Sequence, residues 1–168
     1  LPVYDIGSAG AGFAVHRAGR ITAYGADGKE RWHYARTGPA DVGVGGMRVV
    51  DNGATVLAFI DGAVLGLDAV TGEPLWSSGD TDLVEAARGR FRAATGPFIV
   101  GWNDERTWTR YDSRTGRTLW SVPAPHPGCG MTEPVVTASG VVSTVQCEDG
   151  KVWLSVLDPE TGQIGWDT

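Results

Sequence analysis

Three histidines, two cysteines and one cluster of carboxylates are the residues here whose types could do chemistry. His16 and His33 fall on or beside strand-like runs, and no second His or Cys stands near either at metal-ligand spacing. Asp80, Asp82 and Glu85 form a small acidic cluster. A calcium loop calls for a longer ordered series of oxygen ligands with a Gly at its sharp turn, so no metal is assigned there. The glycine-rich run from Arg36 to Gly45 lacks both a following helix start and the Gly-Lys-Ser/Thr ending of a phosphate loop. It reads as a connection between units. No Gly-x-Ser-x-Gly is present, and no Ser-His-Asp set is marked out by motif. No catalytic, cofactor-binding or metal-binding residue is therefore expected, and no cofactor.

Cys129 and Cys147 carry the one covalent expectation. The runs Met131 to Ala138 and Val141 to Cys147 should pair through a turn at Ser139-Gly140, which brings positions 129 and 147 almost opposite. A disulfide across that hairpin would contribute about 3 kcal/mol for a loop of this length and would place the protein in an oxidising compartment. Two free thiols would instead suit a cytosolic protein. His126 is the nearest histidine, in the Pro-rich stretch from Pro123 to Gly128, which reads as a stiff, exposed connector.

The elements that hold these residues come from a repeat. Asp68-Ala69-Val70-Thr71-Gly72-Glu73-Pro74-Leu75-Trp76 recurs as Asp112 to Trp120 and as Asp158 to Trp166, with a shortened copy from Tyr24 to Trp32. In each the Gly stands four positions before the Trp, and the Trps are 44, 44 and 46 residues apart. A period of roughly 40–45 residues is the size of one propeller blade. Each copy reads as strand, tight turn, strand. The Asp carboxylate starts the turn and the Gly supplies positive φ. Trp32, Trp76, Trp120 and Trp166 are expected to pack between neighbouring units, each contributing about 3 kcal/mol by burial. Other turns, such as Asn52-Gly53, Asp61-Gly62 and Asp149-Gly150, complete four antiparallel strands per unit. The expected fold is all-β: a propeller of about four four-stranded blades, approximately 1–35, 46–80, 90–122 and 129–168. Trp102-Asn103-Asp104-Glu105-Arg106 replaces a tight turn with a longer charged one. Trp and Arg are enriched at interface hot spots, so this stretch is a candidate partner-contact loop. The plainer reading is a solvated hairpin tip.

The net charge of −6 comes without a basic block, which argues against nucleic acid. No apolar run reaches 18 residues, the length a spanning helix needs. No signal peptide is visible at Leu1, as expected of a trimmed mature segment or of a piece of something longer.

The pattern Leu-Asp-x-x-Thr-Gly-x-x-x-Trp, seen from Leu67 to Trp76 and from Leu157 to Trp166, closely resembles the repeat of the quinoprotein-like propellers. The resemblance covers essentially the whole chain. It implies a propeller and leaves function open, because such repeats serve quinone-dependent dehydrogenases, cofactor-free envelope scaffolds and sensor ectodomains. The dehydrogenases hold calcium with Glu, Asn and Asp, and many carry a disulfide of adjacent Cys. Here the Cys are 18 apart, and no motif places Asn103 or Asp104 beside a cofactor. The expectation is a non-catalytic scaffold of the cell envelope that binds a protein partner through rim loops. The alternatives are part of a pyrroloquinoline-quinone dehydrogenase or a membrane-receptor ectodomain. Family rings have seven or eight blades, so a four-blade arc should leave two bare apolar faces. Those faces would be closed by a second copy, giving an eight-bladed ring, or by blades from a longer chain. A self-closed ring of four is the remaining possibility.

Overall fold

Short runs of alternating apolar residues, separated by Gly- and Asp-containing turns, can form only hairpins, and the structure is built from them. The computed structural model describes residues 3–17, 19–35, 44–60, 63–78, 92–95, 98–102, 107–123, 126, 128–131 and 134–168, with 92–95, 102 and 131 by backbone alone. The first sheet runs β1 (Asp5–Ala9), β2 (Gly12–Arg17), β3 (Arg20–Gly25), β4 (Glu30–Ala35). The second runs β5 (Val44–Val50), β6 (Thr55–Ile60), β7 (Ala63–Asp68), β8 (Pro74–Ser77). The third runs β9 (Arg92–Thr95), β10 (Ile99–Trp102), β11 (Thr107–Tyr111), β12 (Thr118–Pro123). In the fourth the first strand is split into β13 (Gly130–Met131) and β14 (Val135–Thr137), both pairing with β15 (Gly140–Gln146), followed by β16 (Val152–Leu157) and β17 (Ile164–Asp167). Every pairing within these sheets is antiparallel, and apart from β13 with β15 the paired strands are neighbours in sequence. The molecule is a partial β-propeller of four blades.

One irregularity recurs in all four blades. Between the third and fourth strands the register slips by one residue, after Ala23, Gly66, Arg110 and Val156. The residue before each slip pairs with the repeat tryptophan: Trp32, Trp76, Trp120 and Trp166 in turn. A bulge adds local twist and re-aims the side chain beside it. Here it gives each Trp the same register position beside its bulge, so the sequence period appears as a structural period.

The core lies between blades. Ala14, Ile21, Ala23 and Trp32 pack against Met47, Val56, Ala58 and Leu67 of the second blade. Leu57, Val64 and Trp76 pack against Ile99 and Tyr111 of the third. Val100, Trp108 and Trp120 pack against Val141 and Leu157 of the fourth. A blade so placed has both faces covered, as a central strand layer requires.

Candidate functional site

The hairpins that join third to fourth strands are fixed by their carboxylates. Asp68 Oδ1 accepts from the backbone N–H of Val70 (2.9 Å) and Thr71 (3.0 Å). Asp112 does the same for Arg114 and Thr115, and Asp158 for Glu160 and Thr161. The hydroxyls of Thr115 and Thr161 donate to the same oxygens at 2.9 Å. Asp68 has a further partner across the blade boundary, because Arg114 Nη1 donates to its Oδ2 at 2.8 Å. That guanidinium, aided by the turn N–H groups, lowers the Asp68 carboxyl from 3.8 to about 2. The N–H and hydroxyl of Thr161 hold Asp158 below the ordinary carboxylate range.

Each hairpin also receives the tryptophan of the blade before it. Trp32 Nε1 donates to the Ala69 carbonyl (3.1 Å), Trp76 Nε1 to Ser113 (2.9 Å) and Trp120 Nε1 to Pro159 (2.9 Å). In all three the acceptor is the residue directly after the turn Asp. The turn Gly lies flat against the ring. A Cβ on Gly72 would fall 2.6 Å from Trp32, and one on Gly162 would fall 2.7 Å from Trp120. Their φ angles of 75° and 72° separately favour glycine. Arg110 reinforces the third boundary, stacking over the Phe98 ring at 4.5 Å and donating to Glu160 Oε1 at 2.9 Å.

Trp166 differs from the other three because no described residue lies beyond its blade. It is 51% exposed, whereas Trp32, Trp76 and Trp120 are buried. The reason is positional: no following hairpin stands against it. It shares a face with Val142 and Val156 through cross-strand pairing, and Val152 lies on that face too. At the other end of the arc, Ile6 is 68% exposed on a face with Val15, Phe13 and Tyr24, the last two rings stacked at 5.3 Å. The face beside Trp166 is open and apolar, whereas on the first-blade face Val15 is buried and Arg20, Thr22, Glu30 and His33 form a polar network.

The histidines are engaged in structure. His16 is buried at the first blade boundary, with its Nε2–H donated to the Val44 carbonyl at 2.8 Å. His33 Nδ1 meets Glu30 at 2.8 Å on the surface. His126 differs from the exposed connector residue expected. It is partly buried, stacks on Trp153 at 4.3 Å and pairs with Asp167 at 2.9 Å. Ser155 Oγ donates to that same carboxylate at 2.8 Å. Three residue types of a hydrolase triad therefore meet here, in the wrong order. Acyl transfer needs the imidazole between serine and carboxylate, whereas here the carboxylate lies between the other two. The group clamps the connector to the end of the fourth blade. Nothing in the spacing of positions 126, 153, 155 and 167 foretells it.

Cys129 and Cys147 are disulfide-bonded. The register of β13 with β15, Gly130 opposite Gln146, sets them across from each other. Trp102 pairs in backbone register with Trp108, whose side chain is buried. Asn103, Asp104, Glu105 and Arg106 lie outside the described residues, as do Asp80, Asp82, Glu85 and residues 36–43. Gln146 and Val152 end their strands on the same rim as Trp102 and Thr107, opposite the rim of the Asp-Gly hairpins. Among the described residues no three His, Cys, Asp or Glu side chains stand together as metal ligands.

A family profile described as outer membrane protein assembly factor BamB matches residues 10–168. A sequence comparison with curated proteins gives no match. Among solved structures, BamB from Moraxella catarrhalis is similar at a TM-score of 0.58 and 20% identity, over 97% of this chain and 47% of that one. A structure described as KlHsv2 with loop 6CD replaced by a Gly-Ser linker is similar at 0.57 and 10% identity, over 97% and 57%. Quinohemoprotein alcohol dehydrogenase from Comamonas testosteroni matches at 0.47 and 16%, over 74% and 21%, too loosely to bear on function. The chain spans about half the length of the first two, and at these identities the likeness speaks to fold. With its repeat geometry and a profile match over nearly its whole length, the chain belongs to the PQQ-type repeat propeller family described as outer membrane protein assembly factor BamB.

Proposed function

We propose that this chain is a non-catalytic binding and scaffolding domain of the cell envelope, engaging a protein partner through rim loops. The observation that carries the reading is the match of residues 10–168 to a family described as an assembly factor, a role performed by binding. Two further observations support it. The disulfide Cys129–Cys147 suits an oxidising compartment. His16 binds the Val44 carbonyl at the first blade boundary, and His126, Ser155 and Asp167 bind one another. No helix among the described residues is long and apolar enough to cross a membrane.

The contact surface we favour is the loop Trp102-Asn103-Asp104-Glu105-Arg106, on the rim that also carries the disulfide. A photo-crosslinking residue placed at Asp104 should give a discrete adduct with an envelope protein. The same residue at Leu119, an exposed outer-strand position, should give none. Equal labelling from both positions would refute contact through this loop. Saturable uptake of pyrroloquinoline quinone with calcium, followed by dye reduction, would refute the non-catalytic reading.

A further inference from the structure

His126 takes a φ of 58°, a left-handed conformation that residues other than Gly rarely adopt. Its ring lies over the Trp153 indole at 4.3 Å and 17°, and its Nε2 stands 2.9 and 3.1 Å from the two oxygens of Asp167. That carboxylate is fixed in turn by the fully buried Ser155, whose hydroxyl donates to it at 2.8 Å. Trp153, Ser155 and Leu157 alternate onto one face of β16, and Leu157 packs there against Val100, Trp108 and Trp120 of the third blade. Asp167 stands opposite Ser155 across β16 and β17. The cluster therefore belongs to the boundary between the third and fourth blades and not to an end face.

We propose that His126 is a proton-operated latch: as the imidazolium it ties the chain at position 126 to the fourth blade, and on losing its proton it loosens. Two of its contacts call for the charge. An ionised carboxylate makes a charge-assisted bond with an imidazolium, roughly twice as strong as a neutral one. A cation over an indole face is attracted by the ring quadrupole. The left-handed backbone opposes the closed state, so loss of the charge tips the balance. Histidine is the side chain whose ordinary titration, at about pH 6.5, falls in the physiological range. His126 holds the Asp167 carboxyl below the ordinary carboxylate range, and the Ser155 hydroxyl adds to the effect, so the carboxylate stays ionised wherever histidine titrates. The latch is closed on the acid side and loosens as pH rises through the histidine range. Among the described residues the charged groups on the neighbouring elements are few. The β15–β16 turn that leads to Trp153 carries Glu148, Asp149 and Lys151, and the last two pair with each other at 2.7 Å. Strand β12 carries no charged residue. The latch stands independently of the rim-loop reading.

The Cys129 amide reports the latch, because its N–H donates to the His126 carbonyl at 3.2 Å. The test is amide hydrogen exchange on the oxidised chain at about pH 5 and about pH 8, on either side of the histidine range. Rates are expressed as protection factors, so the intrinsic pH dependence of exchange cancels. From the acid to the alkaline condition the Cys129 factor should fall at least about tenfold, the difference between a charged and a neutral hydrogen bond. The Gly72 amide, bonded to the Asp68 carbonyl, should hold its protection. Asp167→Asn, which keeps the shape and removes the charge, should give low Cys129 protection at both values. His33→Gln, which removes a histidine of the first blade, should keep the wild-type profile. Thermal melts establish that each variant is folded, and the wild-type comparison decides alone where one is not. Equal wild-type protection at the two pH values overturns the inference. So does a folded Asp167→Asn chain that keeps the wild-type profile, or a folded His33→Gln chain that loses it.

Discussion

Truncating Trp120 and truncating Trp166 remove the same side chain from the same repeat position, and the structure assigns the two changes very different costs. Trp120 is 9% exposed, lies against Gly162 and donates its indole N–H to Pro159 at 2.9 Å. Trp120→Ala deletes that plate from the core shared by Val100, Trp108, Val141 and Leu157. Removal of a buried Trp costs about 3–5 kcal/mol through lost transfer energy and the cavity left behind. The orphaned Pro159 carbonyl adds on the order of 1 kcal/mol. For a chain of this size each kcal/mol lowers the melting temperature by about 2–4 °C, so a drop of roughly 10 °C or more is expected. Trp166→Ala takes a half-exposed ring from an uncovered face and should cost under about 1 kcal/mol in the single chain. The assay is thermal and urea unfolding, followed by far-ultraviolet circular dichroism in dilute, reductant-free solution. A cooperative Trp120→Ala melt at wild-type temperature would refute the packing argument, as would equal losses from the two variants.

Other consequences follow from the same contacts. Asp68 titrates at about 2 instead of 3.8, so its stabilising effect is complete above 3.8 and is lost as pH falls through about 2. Discounted for solvent screening, it amounts to about 1 kcal/mol. Arg114→Ala, which removes the main cause of that shift, should flatten this part of an acid-unfolding curve; an unchanged slope would count against the cross-blade pair. Replacing Cys129 and Cys147 together by Ser should cost about 3 kcal/mol in urea melts, for an 18-residue separation. A loss within error would show that the hairpin is held by its strands alone. Gly72→Ala should cost about 2–3 kcal/mol from left-handed strain plus the clash with Trp32, whereas Gly150→Ala, whose Cβ meets open space, should cost about 1 kcal/mol. Equal melts for the two would remove the close-approach argument.

Much of the fold was legible because its turns are chemical. An Asp that accepts from the N–H groups two and three residues on, a Gly at positive φ and a Trp four residues after that Gly mark three of the hairpins locally, and the Gly–Trp spacing alone marks the first, so blade class and blade count followed from spacing. The hairpin around Ser139-Gly140 was read in the same way, and positions 129 and 147 fell opposite each other. What periodicity cannot express is context. It treats Trp166 like Trp120, although burial of either depends on an element outside its own repeat. It treats the stretch from Tyr24 to Trp32 as a shortened copy, and the shorter turn keeps the Gly conformation. The split between β13 and β14 also escaped it, since Val135 pairs with Val142 one register step away from Gly130 with Gln146. The His126–Asp167–Ser155 clamp joins residues with no sequence relation. It forms because His126 stacks on Trp153 and reaches Asp167 of the fourth blade.

Solvent contact of the four repeat indoles, read by fluorine NMR on chain labelled with 5-fluorotryptophan, tests the open-ended propeller most directly. Each resonance would be assigned with a Trp→Phe variant and scored by its H2O/D2O isotope shift at high dilution. The account predicts protection for Trp32, Trp76 and Trp120, and a full solvent shift for Trp166. A Trp166 resonance as protected as the other three at high dilution would contradict it, because the arc would then have closed on itself.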